Sequence, residues 1–422
     1  MINGPPQPQF VPVFTWNYGT TLPASQESIL AKYSFADLSR DYYKDSLGQN
    51  TWSVLTSLNP AFAVYTYQFS IGTWSNMDTY PAVDLNNISR WNNARGHSMG
   101  NLNTQNPGLF LLNSAGGRIQ NTGYSWWLLD VGNPKFWQYW EEAVTADIIS
   151  QPWKGTGIYI DGPGLEIPSG LSAPPVSYPT DAAWISDAMK YVLALTSSLH
   201  AQGQKAWFNL APTYIPTGQA AWITLDSSAN HPDVMMDEAA FVTGGSYLAN
   251  FYNEAGLKIS IDTMQLVHNS QVAMASSIYA SPGATGTDNY GNPVTYWDAF
   301  YFALSCFLLG KNTAANNSYF SWHDSNTAIQ WFSEFNINLG AAKGPYQVTP
   351  YGTANIYWRE YQNGYVYANL SSHNASGIVL GDACRQITHQ NVTNPFSSPV
   401  ITTLSLPMKR AAILVRSSVT GW

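Results

Sequence analysis

The chain has 422 residues, enough for one large domain and a smaller one. Its net charge is −8, charged residues make up only 10% of it and no basic run occurs, so binding to nucleic acid is not expected. No stretch reaches the roughly 18 consecutive apolar residues that a membrane span needs.

Eight short apolar runs bounded by turn-forming residues are predicted as β-strands. In chain order they are FVPVFTW from Phe10, AFAVYTYQF from Ala61, GLFLLN from Gly108, GIYID from Gly157, KAWFNLA from Lys205, DVMMDE from Asp233, LKISID from Leu257 and SYFSW from Ser318. Helices are predicted between them, notably from Pro134 and from Asp181 to a stop at Gly203. This alternation predicts an α/β fold, a closed (β/α)8 TIM barrel, over residues 1–344.

The pattern changes beyond Gly344. The segment NIYWREYQNGYVYANLSS alternates with a period of two around Asn363 and Gly364, which is a strong hairpin signal. The segments GIVLGD and AAILVRS are predicted as further strands. We therefore predict a small antiparallel β-sandwich domain over residues 345–422, which covers the barrel or holds it to a substrate.

Two of the predicted strands end on carboxylates. Asp161 closes GIYID and is followed by the turn-forming sequence GPG, while Asp237 and Glu238 close DVMMDE. The carboxyl ends of barrel strands are where ligands bind and chemistry occurs. The other interpretation of Asp161 is that it caps the following turn.

Aromatic residues are frequent, with 17 Trp and 26 Tyr. A sugar ring lays its apolar face on an aromatic ring, while neutral amides and hydroxyls bond its hydroxyl groups. The composition therefore favours a carbohydrate ligand, although most of these rings are expected in the core. Trp16 and Tyr65 are candidates for either place.

The segments WWLLDVGNPKFWQYWEE, GTGIYIDGPG, MMDEAAF and YWREYQNGYVYANLS with AAILV, in this order, resemble hypothetical glycoside-hydrolase-like barrels with a C-terminal β domain. The resemblance implies a retaining glycoside hydrolase. In it, an Asp at the end of the fourth strand is the nucleophile and an acid on the sixth strand donates the proton. Carried over, Asp161 is the nucleophile and Glu238 the acid, with Asp237 as the other possible acid.

The chemistry agrees with this resemblance. Retaining hydrolysis needs an ionised carboxylate and a protonated carboxyl about 5 to 5.5 Å apart. Neighbouring residues of a strand point in opposite directions, so only one of Asp237 and Glu238 can enter the barrel mouth. We favour Glu238 because of its longer reach. An Asp at the end of the fourth strand resembles the barrels that cleave α-linked glycans.

Further residues are predicted to bind substrate or else to serve as structural polar groups. They are Asp130, which could instead cap a helix, Asn209 after the fifth strand, Asp262 after the seventh, and Trp322, His323 and Asp324 at the eighth. The sequence predicts no cofactor and no metal site, so turnover should survive extensive chelation. Cys306 and Cys384 are expected to be buried thiols.

Two functions remain open from the sequence. One is a glycoside hydrolase acting on a polysaccharide or oligosaccharide. The other is a non-catalytic glycan-binding protein of an envelope or virion surface. Scarce thiols and abundant neutral polar residues predict an extracellular or cell-surface location, although the start, MINGPPQPQF, lacks the pattern of a secretion signal. The oligomeric state cannot be predicted.

Overall fold

The computed structural model describes residues 10–18, 22–39, 46–74, 107–150, 155–323 and 329–420. The chain forms two compact units. One comprises residues 16–212 and 220–236, and the other residues 1–15, 213–219 and 237–422. Asp161 belongs to the first unit and the carboxylates that follow Met236 belong to the second.

The strands of the described residues, in chain order, are β1 Phe14–Asn17, β2 Phe35–Leu38, β3 Ala63–Phe69, β4 Gly72–Trp74, β5 Gln120–Asn121, β6 Trp126–Leu128, β7 Gly157–Asp161, β8 Lys205–Asn209, β9 Val234–Asp237, β10 Val242–Thr243, β11 Asn250–Phe251, β12 Gln271–Ser276, β13 Thr285–Thr287, β14 Pro293–Thr295, β15 Ser318–Trp322, β16 Gln347–Tyr351, β17 Ala354–Glu360, β18 Gly364–Asn369, β19 Ala375–Ile387, β20 Val400–Leu406 and β21 Ala411–Arg416. The α-helices are α1 Ala24–Leu30, α2 Thr51–Leu58, α3 Pro134–Val144, α4 Asp181–Ala201, α5 Pro216–Asp226, α6 Glu254–Leu266 and α7 Tyr296–Gly310.

The predicted (β/α)8 barrel is confirmed. Its eight strands lie in the order β1, β2, β3, β7, β8, β9, β12, β15. Closure is visible beside β1, where Val13 forms a parallel bridge with Phe320 of β15 and the Phe320 N–H donates to the Pro12 carbonyl at 2.9 Å. Strands β7 and β9 are therefore the fourth and sixth barrel strands, as the sequence predicts.

Three aromatic side chains from β2, β3 and β8 form a layer in the core of the barrel. Phe35, Tyr65 and Trp207 meet edge to face with ring centroids 5.0 to 5.9 Å apart, and all three are almost fully buried. Burial of such rings is the main stabilising contribution of this layer. Tyr65, a candidate for sugar stacking, is therefore a core residue, and Trp16 is buried as well.

Six of the eight predicted strands are confirmed and two are wrong. The segment at Gly108 contains a 3-10 turn, Pro107–Leu109, and the segment at Leu257 lies within α6. The second and seventh barrel strands are instead β2 and β12. The first wrong segment precedes β7 and the second follows β9, and each is replaced by one other strand. The positions of β7, β8 and β9 in the barrel are therefore as predicted.

The two helices predicted in most detail are confirmed. Helix α3 has Pro134 in its first turn and Asn133 as its N-cap, whose side chain accepts from the Lys135 N–H. Helix α4 begins after Thr180, whose hydroxyl accepts from the Ala183 N–H, and Gly203 follows its end with φ +69°. Caps of this kind satisfy backbone groups that a helix end leaves unpaired.

The predicted antiparallel β-structure at the C-terminus is confirmed. Its strands form one six-stranded sheet in the order β16, β17, β18, β21, β19, β20, and β17 to β21 all contribute side chains to one buried cluster. The predicted hairpin is formed by β17 and β18, with Glu360 opposite Tyr365. Gly364 is required there because a Cβ would lie 1.9 Å from the Leu414 carbonyl oxygen.

The cysteines and the helices agree with the sequence analysis. Both cysteines are free and buried, as predicted. Within the ranges that the structure describes, no helix has the length and apolar character to cross a membrane.

Candidate active site

Asp161 lies at the carboxyl end of β7, between two donors from the neighbouring strands. The Tyr67 hydroxyl of β3 donates a hydrogen bond to Oδ2 at 2.8 Å, and the Asn209 amide of β8 donates to Oδ1 at 3.1 Å. Each carboxylate oxygen thus has one donor from a flanking strand. The third, fourth and fifth barrel strands together fix the orientation of the Asp161 side chain.

The backbone at Asp161 is held equally firmly. Its carbonyl oxygen accepts hydrogen bonds from the Ser70 N–H at 2.9 Å and from the Ser70 hydroxyl at 2.8 Å. The next residue, Gly162, has φ +107°, and a Cβ there would lie 2.9 Å from Ile71 and 3.0 Å from Phe69. Glycine is therefore needed for the turn that follows the carboxylate.

Asp161 is partly exposed, and phenol groups lie close to it. Burial raises the pKa of Asp161, and the hydrogen bonds from Tyr67 and Asn209 lower it by a smaller amount. Burial also raises the pKa of Tyr18, whose ring packs edge to face on Tyr67 at 4.7 Å, with a smaller contribution from the charge of Asp37. Tyr18 is therefore neutral at physiological pH.

Removal of one donor gives a pH-dependent prediction. Tyr67→Phe deletes a hydrogen bond that stabilises ionised Asp161, so the pKa of Asp161 should rise further. If ionised Asp161 is needed for turnover, the acidic limb of the kcat/KM profile should move to higher pH. The measurement is the pH profile of Tyr67→Phe beside that of Tyr124→Phe, which loses an exposed hydroxyl. An unmoved acidic limb in Tyr67→Phe would count against ionised Asp161 as the essential group.

Asp237 ends β9 and is fully buried. Its Oδ2 accepts hydrogen bonds from the Thr213 N–H at 2.7 Å and the Thr213 hydroxyl at 2.5 Å, and its Oδ1 accepts from the Ala239 N–H at 3.0 Å. Burial raises the pKa of Asp237, and these hydrogen bonds partly offset the rise. Both oxygens therefore hold local backbone, whereas Glu238, the next residue, is partly exposed.

Asp130 takes part in a local polar cluster. Its Oδ1 accepts hydrogen bonds from the Tyr178 hydroxyl at 2.6 Å and from the Gly132 N–H at 3.0 Å. The cap of α3 is Asn133, three residues further on. The structure thus places Asp130 in a turn before the helix, where it holds Tyr178.

The prediction that Asp262 follows a barrel strand is wrong. Asp262 lies within α6, where its Oδ2 pairs with Lys258 Nζ at 2.5 Å and its Oδ1 accepts from the Tyr346 hydroxyl at 2.5 Å. The pairing with Lys258 is an (i, i+4) contact of a helix surface. The reason for expecting Asp262 at the barrel mouth is therefore removed.

The candidates at the eighth strand are almost fully buried. Trp322 packs edge to face on Phe300 and its indole N–H donates to the Tyr296 hydroxyl at 2.7 Å. The backbone N–H of His323 donates to the Ser276 carbonyl at 3.0 Å. These placements argue against sugar contact by either side chain. Asp324 lies outside the described residues.

A stacked aromatic pair, with one exposed ring, is linked to Asp161 through Phe69 in the same unit. Tyr124 is 60% exposed and stacks on Trp126 of β6 at 4.5 Å with an angle of 13° between the rings. Trp126 contacts Phe69 at 4.3 Å, and Phe69 is the strand partner of Asp161. A stacked ring with one open face is suited to bind the apolar face of a sugar.

Sequence analysis did not identify Tyr67, Tyr18 or the Tyr124–Trp126 pair. A usable signal was present for Tyr67: it is two residues closer to the carboxyl end of β3 than Tyr65, so it lies closer to the mouth. Tyr124 and Trp126 follow no barrel strand directly, and their stacking depends on the small sheet of β4, β5 and β6. In the described part of the chain, no cluster of three His, Cys, Asp or Glu residues could hold a metal ion.

Comparisons with known proteins agree with this architecture. The model of hypothetical glycosyl hydrolase family 15 matches residues 56–389. A search of curated proteins finds no match.

Solved structures also match nearly the whole chain. Trehalulose synthase MutB from Pseudomonas mesoacidophila MX-45 is 10% identical over 98% of this chain and 100% of its own, with a TM-score of 0.50. A MutB mutant in complex with Tris is 9% identical over 97% and 100%, with a TM-score of 0.52. A MutB mutant in complex with the substrate sucrose is 9% identical over 98% and 100%, with a TM-score of 0.50. At these identities the likeness shows the fold alone.

Proposed function

Because the chain belongs to hypothetical glycosyl hydrolase family 15, we propose that it is a retaining glycoside hydrolase that acts on an α-linked polysaccharide or oligosaccharide. Asp161 is the nucleophile and Glu238 the acid and base. The observation that carries this proposal is the carboxylate at the end of the fourth barrel strand, held by one donor on each oxygen. Such fixed placement is what a nucleophile needs.

The proposed reaction has two steps. Asp161 attacks the anomeric carbon while the bond to the leaving oxygen breaks, and that oxygen takes the proton of Glu238. Water then gives a proton to Glu238 and attacks the same carbon, which releases Asp161. Tyr67 and Asn209 keep the carboxylate oriented in both steps, and Tyr67 also stabilises the anion that is restored at the end.

The assignment of the acid to Glu238 is supported by the role of its neighbour. Both oxygens of Asp237 accept hydrogen bonds from Thr213 and Ala239, so that residue already has a structural function. Glu238 is partly exposed at the carboxyl end of the sixth strand, where barrel enzymes place reacting groups. An α-linked substrate is proposed because an Asp ends the fourth strand.

Tyr124 is proposed to stack on a sugar ring of the substrate. Tyr124→Ala removes the exposed ring, so KM for a polymer should rise by roughly three- to tenfold with little change in kcat, as expected for about 1 kcal/mol of lost stacking. Tyr124→Phe keeps the ring and should behave as wild type. The measurement is steady-state kinetics of both variants. Equal KM values for wild type and Tyr124→Ala would remove this residue from substrate binding.

The proposed function is tested by hydrolysis. Purified protein is incubated with a panel of α-linked and β-linked polysaccharides, and the products are sized and their anomeric configuration is followed by NMR. The expected result is release of shorter products from an α-linked glycan with retained configuration. Binding without release of products would favour the non-catalytic glycan-binding alternative, and an inverted product would overturn the nucleophile.

We also propose that the protein works outside the cytoplasm, because charged residues and thiols are scarce and neutral polar residues are abundant. Its substrate would then be an extracellular or cell-surface carbohydrate. Immunodetection in fractions of the native cells tests this, and presence in the cytosolic fraction alone would contradict it.

A further inference from the structure

A cavity of about 510 Å³ lies in the unit that contains the C-terminal sheet. Its wall is built by the start of α7, the end of β19 with the turn after it, and the chain around the start of β21. None of its lining residues is a neighbour of Asp161 described above. Its volume is within the range of small-molecule sites, about 300 to 1,000 Å³.

An aromatic surface lines one side of this cavity. The partly exposed ring of Trp297 stacks on the imidazole of His389, with ring centroids 3.5 Å apart and an angle of 12° between the planes. The imidazole is fixed in turn, because its Nδ1 lies 2.8 Å from Oε1 of the fully buried Glu334. The Trp297 ring also meets Phe300 and Phe332 edge to face, so the Trp297–His389 pair is a rigid aromatic surface in the wall of the cavity.

The charges along the wall are already paired. Arg410 lies 3.9 Å from Asp298 and 3.7 Å from the buried Asp288, and His389 is paired with Glu334. An anionic ligand would have to compete with Asp298 for Arg410, and a cationic ligand would face Arg410 itself. A neutral ligand with hydroxyl groups can donate to Asp298 and accept from Arg410 without breaking the pair.

The rest of the wall is uncharged and mixes polar side chains with apolar ones such as Ile387 and Leu406. Hydroxyl and amide side chains contribute there, among them Thr285, Thr388, Gln386, Gln390 and Ser405. Hydroxyl and amide groups both donate and accept, as the hydroxyls of a sugar do. Together with the Trp297–His389 surface, they match one apolar face and one hydroxylated rim of a pyranose ring.

We propose that this cavity is a second carbohydrate-binding site, which takes a neutral sugar unit with its ring on the Trp297–His389 pair and its hydroxyls on Asp298 and Arg410. The proposal goes beyond the hydrolytic function, since it concerns binding by the second unit and holds whether or not the protein has turnover. Such a site would hold a glycan chain by a unit that is not being cleaved.

The test is calorimetric titration of the full chain carrying Asp161→Asn with neutral tetrasaccharides of α-linked and β-linked glucose, galactose, mannose and xylose. Thr388→Trp fills the cavity from a partly exposed turn and should weaken binding of at least one tetrasaccharide about tenfold or more. Trp297→Ala should do the same. Thr353→Trp is the matched control, because Thr353 lies in the exposed turn between β16 and β17, outside the cavity wall, and should leave binding unchanged.

Three results would overturn the proposal. The first is tetrasaccharide binding that neither cavity variant changes, and the second is no binding of any neutral tetrasaccharide. The third is that inorganic phosphate binds more tightly than the sugars and that Thr388→Trp abolishes this phosphate binding. Binding lost in Thr388→Trp with no hydrolysis by wild type would leave the second site in place and reject the proposed hydrolase. Hydrolysis by the wild type, with unchanged tetrasaccharide binding in both cavity variants, would support the proposed hydrolase and reject the second site.

Discussion

Replacement of Asp161 by asparagine is expected to abolish turnover, with a loss of about 10⁴-fold or more in kcat, because asparagine cannot form the covalent glycosyl intermediate. The fold should be kept, since Asn has the same shape and the Tyr67 hydroxyl can accept a hydrogen bond as well as donate one. Mass spectrometry of quenched wild-type reactions should detect a glycosyl group on the Asp161 peptide that is missing in the variant.

The same variant has an expected effect on stability. Burial raises the pKa of folded Asp161 above its unfolded value, about 4. Wild-type stability should therefore fall as the pH rises from that value through the raised pKa, and the loss is complete above it. Because Asn does not titrate, Asp161→Asn should raise the Tm at pH 7 by more than at pH 4.

The control for Asp161→Asn is Asp262→Asn. Helix α6 holds Asp262 against Lys258 and Tyr346, so the same chemical change there should leave kcat close to wild type. A wild-type rate in Asp161→Asn would reject the nucleophile. A large loss of kcat in Asp262→Asn with an unchanged Tm would instead support the original prediction that Asp262 binds substrate at the barrel mouth.

Glu238→Gln is expected to reduce the catalytic rate, whereas Asp237→Asn is expected to reduce the stability of the fold. Glu238→Gln should reduce kcat by about 10²- to 10⁴-fold for glycans with poor leaving groups and much less for activated aryl glycosides, which need little protonation. Asp237→Asn should instead destabilise the protein by about 1 to 3 kcal/mol, because an amide NH2 would face the N–H groups of Thr213 or Ala239.

The measurements are kcat for a series of leaving groups and the free energy of unfolding for each variant. Glu142→Gln is the control for the chemical change, since Glu142 is exposed on α3 and its carboxylate accepts a hydrogen bond from the side-chain amide of Gln138. If the dependence on the leaving group is found in Asp237→Asn and not in Glu238→Gln, the acid has to be reassigned to Asp237.

The barrel could be predicted because its central strands are strongly patterned. Runs such as GIYID and AVYTYQF combine β-branched and aromatic residues over a length that suits a buried strand. Strand β12 was missed because QVAMAS consists mainly of small residues, and β2 because FADL is four residues long and carries the buried Asp37.

The error at LKISID shows the limit of short windows. Over six residues the segment alternates with a period of two, as a strand does. Over the whole of α6, the buried side chains include Leu257, Ile261 and Met264, which are spaced as one face of a helix. The N-cap Asn253 lies outside the six residues, and its side chain accepts from the Gly256 N–H.

The candidate site was predicted only in part. Asp161 and Asn209 were identified because the ends of barrel strands are known places for reacting groups, and the structure brings these two together. Which residues contact Asp161 depends on the register between β3 and β7. This register places Tyr67 beside Tyr159 and Phe69 beside Asp161. Register depends on packing between strands, which a single sequence does not encode locally.

Because of the small sheet of β4, β5 and β6, Tyr124 lies on a different part of the fold from the residues that hold Asp161. Homologous proteins can therefore change at the two places independently. The groups that hold Asp161 are on barrel strands β3 and β8, where a substitution disturbs the core, whereas Tyr124 is on a connection outside the barrel sheet. If Asp161 is the nucleophile and Tyr124 binds the sugar, as proposed, divergence in that connection changes which glycan is selected while the nucleophile is inherited unchanged. Relatives that share Asp161, Tyr67 and Asn209 but differ at Tyr124 should then have the same stereochemistry and different preferred polymers.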